Sequence, residues 1–328
     1  MDWIDISAFL TKYPALLDII VSDHSSGKTL VWGTNNYSNY GKGFSEKDHI
    51  FTMHLTGFNK KIIKPRVHKS QRDQKRRSRD VAEVFTASWI CNKQNNVVDE
   101  GWFGRKDVFN VENEDNTWTV TDKVLFNDKP WQDYIKETVL EATCGEAPYL
   151  VSRYDTTSGE YIDVKHRIGL LDRKLRVINE NVDDKDEWKI WAKIAYQSTY
   201  GYDFQGDNII LARENLLFDY IDNYLYKFNE EPSLEDITEI AKIISWNIFQ
   251  MDGLKYVIPL SCHNEKMKYL QMSLNLFEDE SEPNLEVKEE ECPGCVKDDN
   301  TKHNGIYVKV KDWGKNKTIR FIDLLKFF

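Results

Sequence analysis

Three short segments of this chain set a small-residue turn or a carboxylate at the end of a strand-like run. The first is Glu141-Ala142-Thr143-Cys144-Gly145-Glu146-Ala147-Pro148-Tyr149-Leu150, which grows out of the strand-like residues 137–143. A turn of small residues lets a ligand approach the backbone, and a following helix N-terminus favours negative charge. The second is Tyr200-Gly201-Tyr202-Asp203-Phe204, where a carboxylate closes the strand-like residues 196–204. An acid in that place suits the two hydroxyls of a ribose. The third is Gln250-Met251-Asp252-Gly253. Its carboxylate can accept a hydrogen bond from an exocyclic adenine amine. In an open parallel sheet, ligands bind beyond the carboxyl ends of the strands. Turn, ribose acid and base acid, in this order, describe an adenosine pocket. Taken singly, Asp203 and Asp252 read more often as helix-cap or loop residues. Cys144 reads as a small packing residue rather than a nucleophile, since no histidine stands near it in sequence.

The elements that must position these residues alternate between strand and helix. Residues 83–100 are helix-like. Residues 207–228 form a strongly amphipathic helix with Asp207 or Asn208 as its N-cap, and residues 234–246 a second one capped by Ser233 with Asp236 three positions on. Residues 247–251 are a third short strand. This alternation predicts an α/β fold with a doubly wound, mostly parallel sheet. The aromatic-rich stretch Trp188–Tyr200 reads as a core stripe. Ahead of this region, residues 3–20 read as a short amphipathic helix and residues 19–33 as two strands around a polar turn. Ser22–Thr29 falls one residue short of a phosphate loop, because Ser22 replaces the first glycine, and it reads as a hairpin turn. Residues 277–300 are acidic and read as an exposed, loop-like insertion, and residues 304–325 return to strand-like alternation. The expected organisation is an N-terminal α+β extension (1–79), a central ligand-binding domain (80–260, with an insertion at about 155–199) and a C-terminal segment (261–328) that could dock a partner.

The chain has 328 residues and a mass of 38.6 kDa, a length suited to about two domains. Lys and Arg number 44 against 54 Asp and Glu, so 44 − 54 gives −10. A net-acidic protein is a poor stand-alone binder of nucleic acid, because that affinity rests on Lys and Arg releasing counterions. Residues 60–79 are the local exception: Lys60, Lys61, Lys64, Arg66, Lys69, Arg72, Lys75, Arg76, Arg77 and Arg79 read as a solvated face or as a contact for phosphate or a partner. No apolar run reaches about 18 residues, so no membrane helix is expected. The start MDWIDISAFL lacks the basic n-region of a signal peptide. Five cysteines argue against a disulfide framework and for a reducing cytoplasm. Cys292-Pro293-Gly294-Cys295, with His303 after it and Cys262-His263 before it, has the types for a zinc site of three thiolates and one imidazole. One CxxC is half a signature and also suits a surface turn, so no metal ligand is assigned from the sequence.

At this point the residues resemble a family. Glu141–Leu150 is similar to the S-adenosylmethionine loop of the amino-methylating (N6-adenine) DNA methyltransferases. Ala82-Glu83-Val84-Phe85-Thr86 resembles their upstream Phe-Thr-Pro element. Tyr200–Asp203, followed by Ala212-Arg213-Glu214-Asn215-Leu216-Leu217, resembles the ribose strand and helix, and Asn247–Leu254 the adenine strand. The resemblance spans roughly residues 80–256. It implies a Rossmann-like class I methyltransferase fold and S-adenosylmethionine as cofactor. Phe85 and Thr86 would hold the methionine end, with Glu141, Thr143, Cys144 and Gly145 forming the floor. Asp203 would take the ribose hydroxyls and Phe204 would pack on the adenine. Asp252 would take the adenine amine beside Gly253. Three departures stand out. Ala87 replaces the proline after Phe-Thr, Glu146-Ala147 replaces a small residue and a second glycine, and the stretch 155–199 is longer than one helix needs.

The largest departure is an absence. The family transfers its methyl group at an Asn/Asp/Ser-Pro-Pro-aromatic motif, with the target base flipped out of the duplex. The eight prolines here are Pro14, Pro65, Pro130, Pro148, Pro232, Pro259, Pro283 and Pro293, and no two are adjacent. No catalytic residue is therefore assigned. The resemblance implies an incomplete fold and a split enzyme, akin to the "subunit M" proteins of restriction–modification settings. In this reading a partner brings the catalytic motif and the target-recognition region, and double-stranded DNA is engaged through the complex. The alternatives are an inactive methyltransferase-fold scaffold, a restriction or DNA-recognition subunit, and an unrelated α/β enzyme using another nucleotide.

Overall fold

The computed structural model describes residues 13–81, 86–127, 129–271 and 284–325. Its centre is a parallel sheet of three strands in sequential order, β1 (Val139–Ala142), β2 (Thr199–Asp203) and β3 (Ile248–Gln250). Glu141 pairs with Gly201, and Gly201 with Ile248. The β1–β2 connection contains α1 (Leu170–Asn181) and α2 (Lys185–Gln197), and the β2–β3 connection contains α3 (Gly206–Phe228) and α4 (Leu234–Asn247). The chain is thus a mixed α/β protein with a small parallel sheet and many helices.

Side chains alternate between the two faces of a strand, and this decides what each face meets. Ile248 and the helices share one large apolar core with Trp188, Tyr196, Leu216 and Phe218. Phe249, one residue on, joins a second core with Met251, Ile258, Val308, Val310 and Phe321, against which Tyr200 and Tyr202 pack. The second core is supplied by the antiparallel hairpin Lys309–Asp312/Lys317–Arg320 and the short helix after it. By register, Leu140 and Ala142 lie on this second face beside Tyr200 and Tyr202. The cover does not reach them: Leu140 is 47% exposed. Among the described residues β1 is also a sheet edge, pairing with β2 alone.

The N-terminal residues belong to the same body. Leu16, Leu17, Ile20, Trp32 and Ile50 lie in the large core with residues 108–248. Arg213 of α3, fully buried, donates to the carbonyls of Ile20, Ser22, Ser245 and Ile248 at 2.6–2.8 Å. The Gln250 amide clamps Val31 from both sides, accepting its N–H at 2.9 Å and donating to its C=O at 2.8 Å.

Several expectations from sequence hold. Ser22–Asp23 and Lys28–Thr29 form a hairpin, Ser233 caps α4 by accepting the Asp236 N–H, and Trp188 and Tyr196 are core residues. Within the stretch 155–199, α1 and α2 pack into the large core. Other expectations need correction. The N-cap of α3 is Gln205 rather than Asp207 or Asn208. Asp207 stands in the first turn, where its charge is used differently, as described below. Within 277–300, Asn284–Glu290 is not loop but a strand paired antiparallel with Glu265–Gln271, and Pro293–Lys297 is a short helix. Of the expected helices at 3–20 and 83–100, Pro14–Val21 and Ser88–Phe103 are formed, and residues 3–12 and 82–85 lie outside the described residues.

Candidate functional site

The carboxyl ends of β1 and β2 open on a cavity of about 700 Å³, inside the range of roughly 300–1,000 Å³ common for small-molecule sites. Thr86, Glu141, Thr143, Cys144, Gly145, Asp203 and Phe204 all line it. Phe85 lies outside the described residues. Asp252 and Gly253 are not in the wall. The Asp252 carboxylate caps its own turn, accepting the N–H groups of Leu254 at 3.0 Å and Lys255 at 3.2 Å. Gly253 faces the Tyr202 ring, on the other side of the sheet.

The loop after β1 is held in a tight, partly left-handed path. Thr143, Gly145 and Ala147 have φ of 50°, 55° and 62°. Glycine takes that conformation without steric cost, so Ala147 shows the backbone geometry of the glycine it replaces in the resemblance. Glu141 folds the loop back on itself, its carboxylate accepting the N–H groups of Tyr149 at 3.4 Å and Leu150 at 3.2 Å. The Cys144 N–H donates to the Tyr202 carbonyl at 2.8 Å and ties the loop to β2. Glu146 turns out of the cavity, accepting the Arg66 N–H at 2.7 Å and the Tyr154 hydroxyl at 2.5 Å. Its charge is therefore spent on anchoring the basic segment rather than on the cavity wall. Ala87 has φ −58° and ψ 145°, values a proline adopts readily.

Asp203 is the hub of the site. One of its oxygens accepts the Gly145 N–H at 2.9 Å, and the other accepts the Gln205 N–H at 2.8 Å and the Asn208 amide at 3.4 Å. Burial pushes its carboxyl up to about 6 against the opposing pull of the Gln205 and Gly145 N–H groups. Burial also drives Glu141 well above the ordinary range, with the Asp203 charge adding to it. Cys144 is held as a thiol by its burial and by the two neighbouring carboxyls, so it is a packing residue rather than a nucleophile. The floor thus carries two desolvated acids, and neither has a cationic partner among the described residues.

The N-terminal residues Gly33, Thr34, Asn35 and Glu46 complete the wall. Sequence reasoning missed them. Gly33 is the one signal that points there: it has φ +76°, and a side chain on it would come within 2.7 Å of the Phe204 carbonyl. The basic run contributes as well, because it is not only a solvated face. Arg77 is buried and donates to Asp207 at 2.7 Å and to Gln205 at 3.1 Å. Tyr37 donates to the same Asp207 oxygen at 2.8 Å, and Lys69 lies 3.7 Å away. Burial alone would raise the Asp207 pKa, but Arg77 and Lys69 outweigh it and hold the carboxyl below its ordinary range. This cluster braces the segment just after Asp203.

Among the described residues, no helix is long and apolar enough to cross a membrane. Comparison with protein-family models, with curated proteins and with solved structures finds no match for the chain.

Proposed function

We propose that this chain is the S-adenosylmethionine-binding subunit of a split, site-specific DNA adenine-N6 methyltransferase, with a partner supplying the catalytic motif and target recognition. The observation that carries this reading is the convergence of seven anticipated residues, from three separated segments, on one cavity at the strand tips.

The donor set suits the cofactor. S-adenosylmethionine supplies an activated methyl group on a sulfonium, and it also carries an ammonium. Glu141 and Asp203 offer two buried carboxyls without a cationic partner, and a cationic ligand would relieve the cost of their ionisation. Three donors already reach Asp203, but a carboxylate has about four acceptor positions, which leaves one for a ribose hydroxyl. The loop 143–147 brings backbone to the wall, while Phe204 offers an apolar ring to a base.

Two features support a partner. The sheet has the sequential order expected of one half of a doubly wound, Rossmann-like methyltransferase fold, and it stops at the strand that carries the loop. An unpaired edge next to exposed Leu140 and Ala142 is a template for another strand. Lys60, Lys61, Lys64, Arg72, Lys75, Arg76 and Arg79 are exposed and give the otherwise acidic chain a local surface for DNA phosphates.

The engagement of Asp203 by its own loop and the withdrawal of Asp252 into a turn favour a second reading, an inactive scaffold or recognition subunit. Reconstitution separates the two. Methyl transfer from labelled S-adenosylmethionine to DNA should be absent with this chain alone and appear when a partner bearing the Asn/Asp-Pro-Pro-aromatic motif is added. Robust transfer by the single chain would refute the split, and transfer by the partner alone would favour the scaffold.

A further inference from the structure

Away from the cavity, four side chains converge with no role in the account above. The thiols of Cys262, Cys292 and Cys295 and the Nδ1 atom of His303 all lie within 4.8 Å of one another. The three sulfurs stand 3.7, 3.6 and 3.6 Å from that one nitrogen. Hydrogen bonding does not account for this, since Nδ1 has a single lone pair and cannot accept from three thiols at once. A tetrahedral zinc ion accounts for it directly. With Zn–S about 2.3 Å and Zn–N about 2.0–2.1 Å, tetrahedral angles put sulfur and nitrogen about 3.6 Å apart.

The surroundings are built for the same purpose. The opposite ring nitrogen of His303 faces Asn300 Oδ1 at 3.4 Å, which fixes the tautomer that leaves Nδ1 free to ligate. The Asn304 N–H donates to Cys292 Sγ at 3.3 Å, a contact that stabilises a thiolate. Gly294 lets the imidazole reach the knuckle: a side chain there would come within 2.6 Å of Nδ1.

We propose that Cys262, Cys292, Cys295 and His303 form a closed, structural zinc site. Its position gives it a task. Cys262 lies just before the strand Glu265–Gln271, and Cys292 just after its partner Asn284–Glu290. Zinc therefore fastens both feet of this two-stranded arm to the segment preceding the second core. His303 in turn leads into Val308 and Val310, which pack under Phe249. The inference is independent of any cofactor in the main cavity.

The test is metal analysis of the full chain purified without chelators, followed by exchange with Co²⁺ under reducing conditions. The expected result is about one zinc per chain, and a cobalt form with tetrahedral d–d bands and thiolate charge transfer. Both should be lost in Cys292→Ser and in His303→Ala. The cobalt spectrum of the unsubstituted chain decides the matter even where a variant does not fold. Absence of zinc together with no cobalt spectrum would overturn the proposal, and iron in place of zinc would overturn the choice of metal.

Discussion

The Gly145 N–H donates to the Asp203 carboxylate at 2.9 Å, so the turn after β1 and the acid at the tip of β2 form one unit. A shift of either residue away from the other breaks this bond. The shape of the cavity floor is therefore set by a bond between segments far apart in the chain, and the protonation of Asp203 reaches both.

The pH dependence of ligand binding follows from that position. Burial pushes the Asp203 carboxyl from 3.8 up to about 6. The ionised form is the stronger acceptor for a ribose hydroxyl, so affinity for S-adenosylmethionine should rise as pH climbs through about 6. Calorimetry over that range should show this rise, and Asp203→Asn should flatten it. The stability sign is the opposite. The folded chain holds this proton more tightly than the unfolded one, so the contribution of Asp203 to stability is full below 3.8 and is lost as pH rises through about 6. Identical binding profiles for the two proteins would remove Asp203 from the ligand.

Ala87 offers a test of the backbone beside Thr86. Its φ of −58° already fits proline, and its N–H makes no hydrogen bond among the described residues. Ala87→Pro should stabilise the chain by about 0.4–1 kcal/mol through the unfolded state. Thermal or urea unfolding measures this, and a loss of stability would show that the segment is held differently.

Leu140 tests the open side of the sheet. It is 47% exposed on an edge strand whose outer side has no partner among the described residues. Leu140→Asp should leave stability within about 0.5 kcal/mol while weakening association with the proposed partner subunit at least about tenfold, the effect of some 1.4 kcal/mol. Unchanged association in a pull-down or by light scattering would move the interface elsewhere.

Arg213 tests the union of the N-terminal residues with the sheet. Its guanidinium serves the carbonyls of Ile20, Ser22, Ser245 and Ile248 from a fully buried position, and burial lowers its pKa to about 9. Arg213→Ala leaves these carbonyls without their donor and should cost about 3 kcal/mol or more. A single urea transition at lower midpoint is expected, and an unchanged midpoint would contradict this role.

What the sequence could show was local. The β1 loop, the tip of β2 and the Ser233 cap of α4 each declare themselves within a few residues, because turn chemistry and capping act over that span. What it hid depends on distance along the chain. Arg77 reads as one cation in a solvated run, yet its partner Asp207 lies 130 positions away. Gly33 and Glu46 join the cavity through long-range ties such as that of Gln250 to Val31, 219 positions away. Asp252 fails for a related reason. A strand-end acid can serve a ligand or its own turn, and nothing local distinguishes the two. The CxxC at Cys292 and Cys295 was half a signature because folding alone brings Cys262 and His303 to it.

The most direct test of the central claim is calorimetric titration of the full chain with S-adenosylmethionine at pH above 7, beside Asp203→Ala. The account predicts saturable binding at one site, weakened in the variant by about 1–3 kcal/mol. No binding up to millimolar ligand, or equal affinity in the variant, would contradict it.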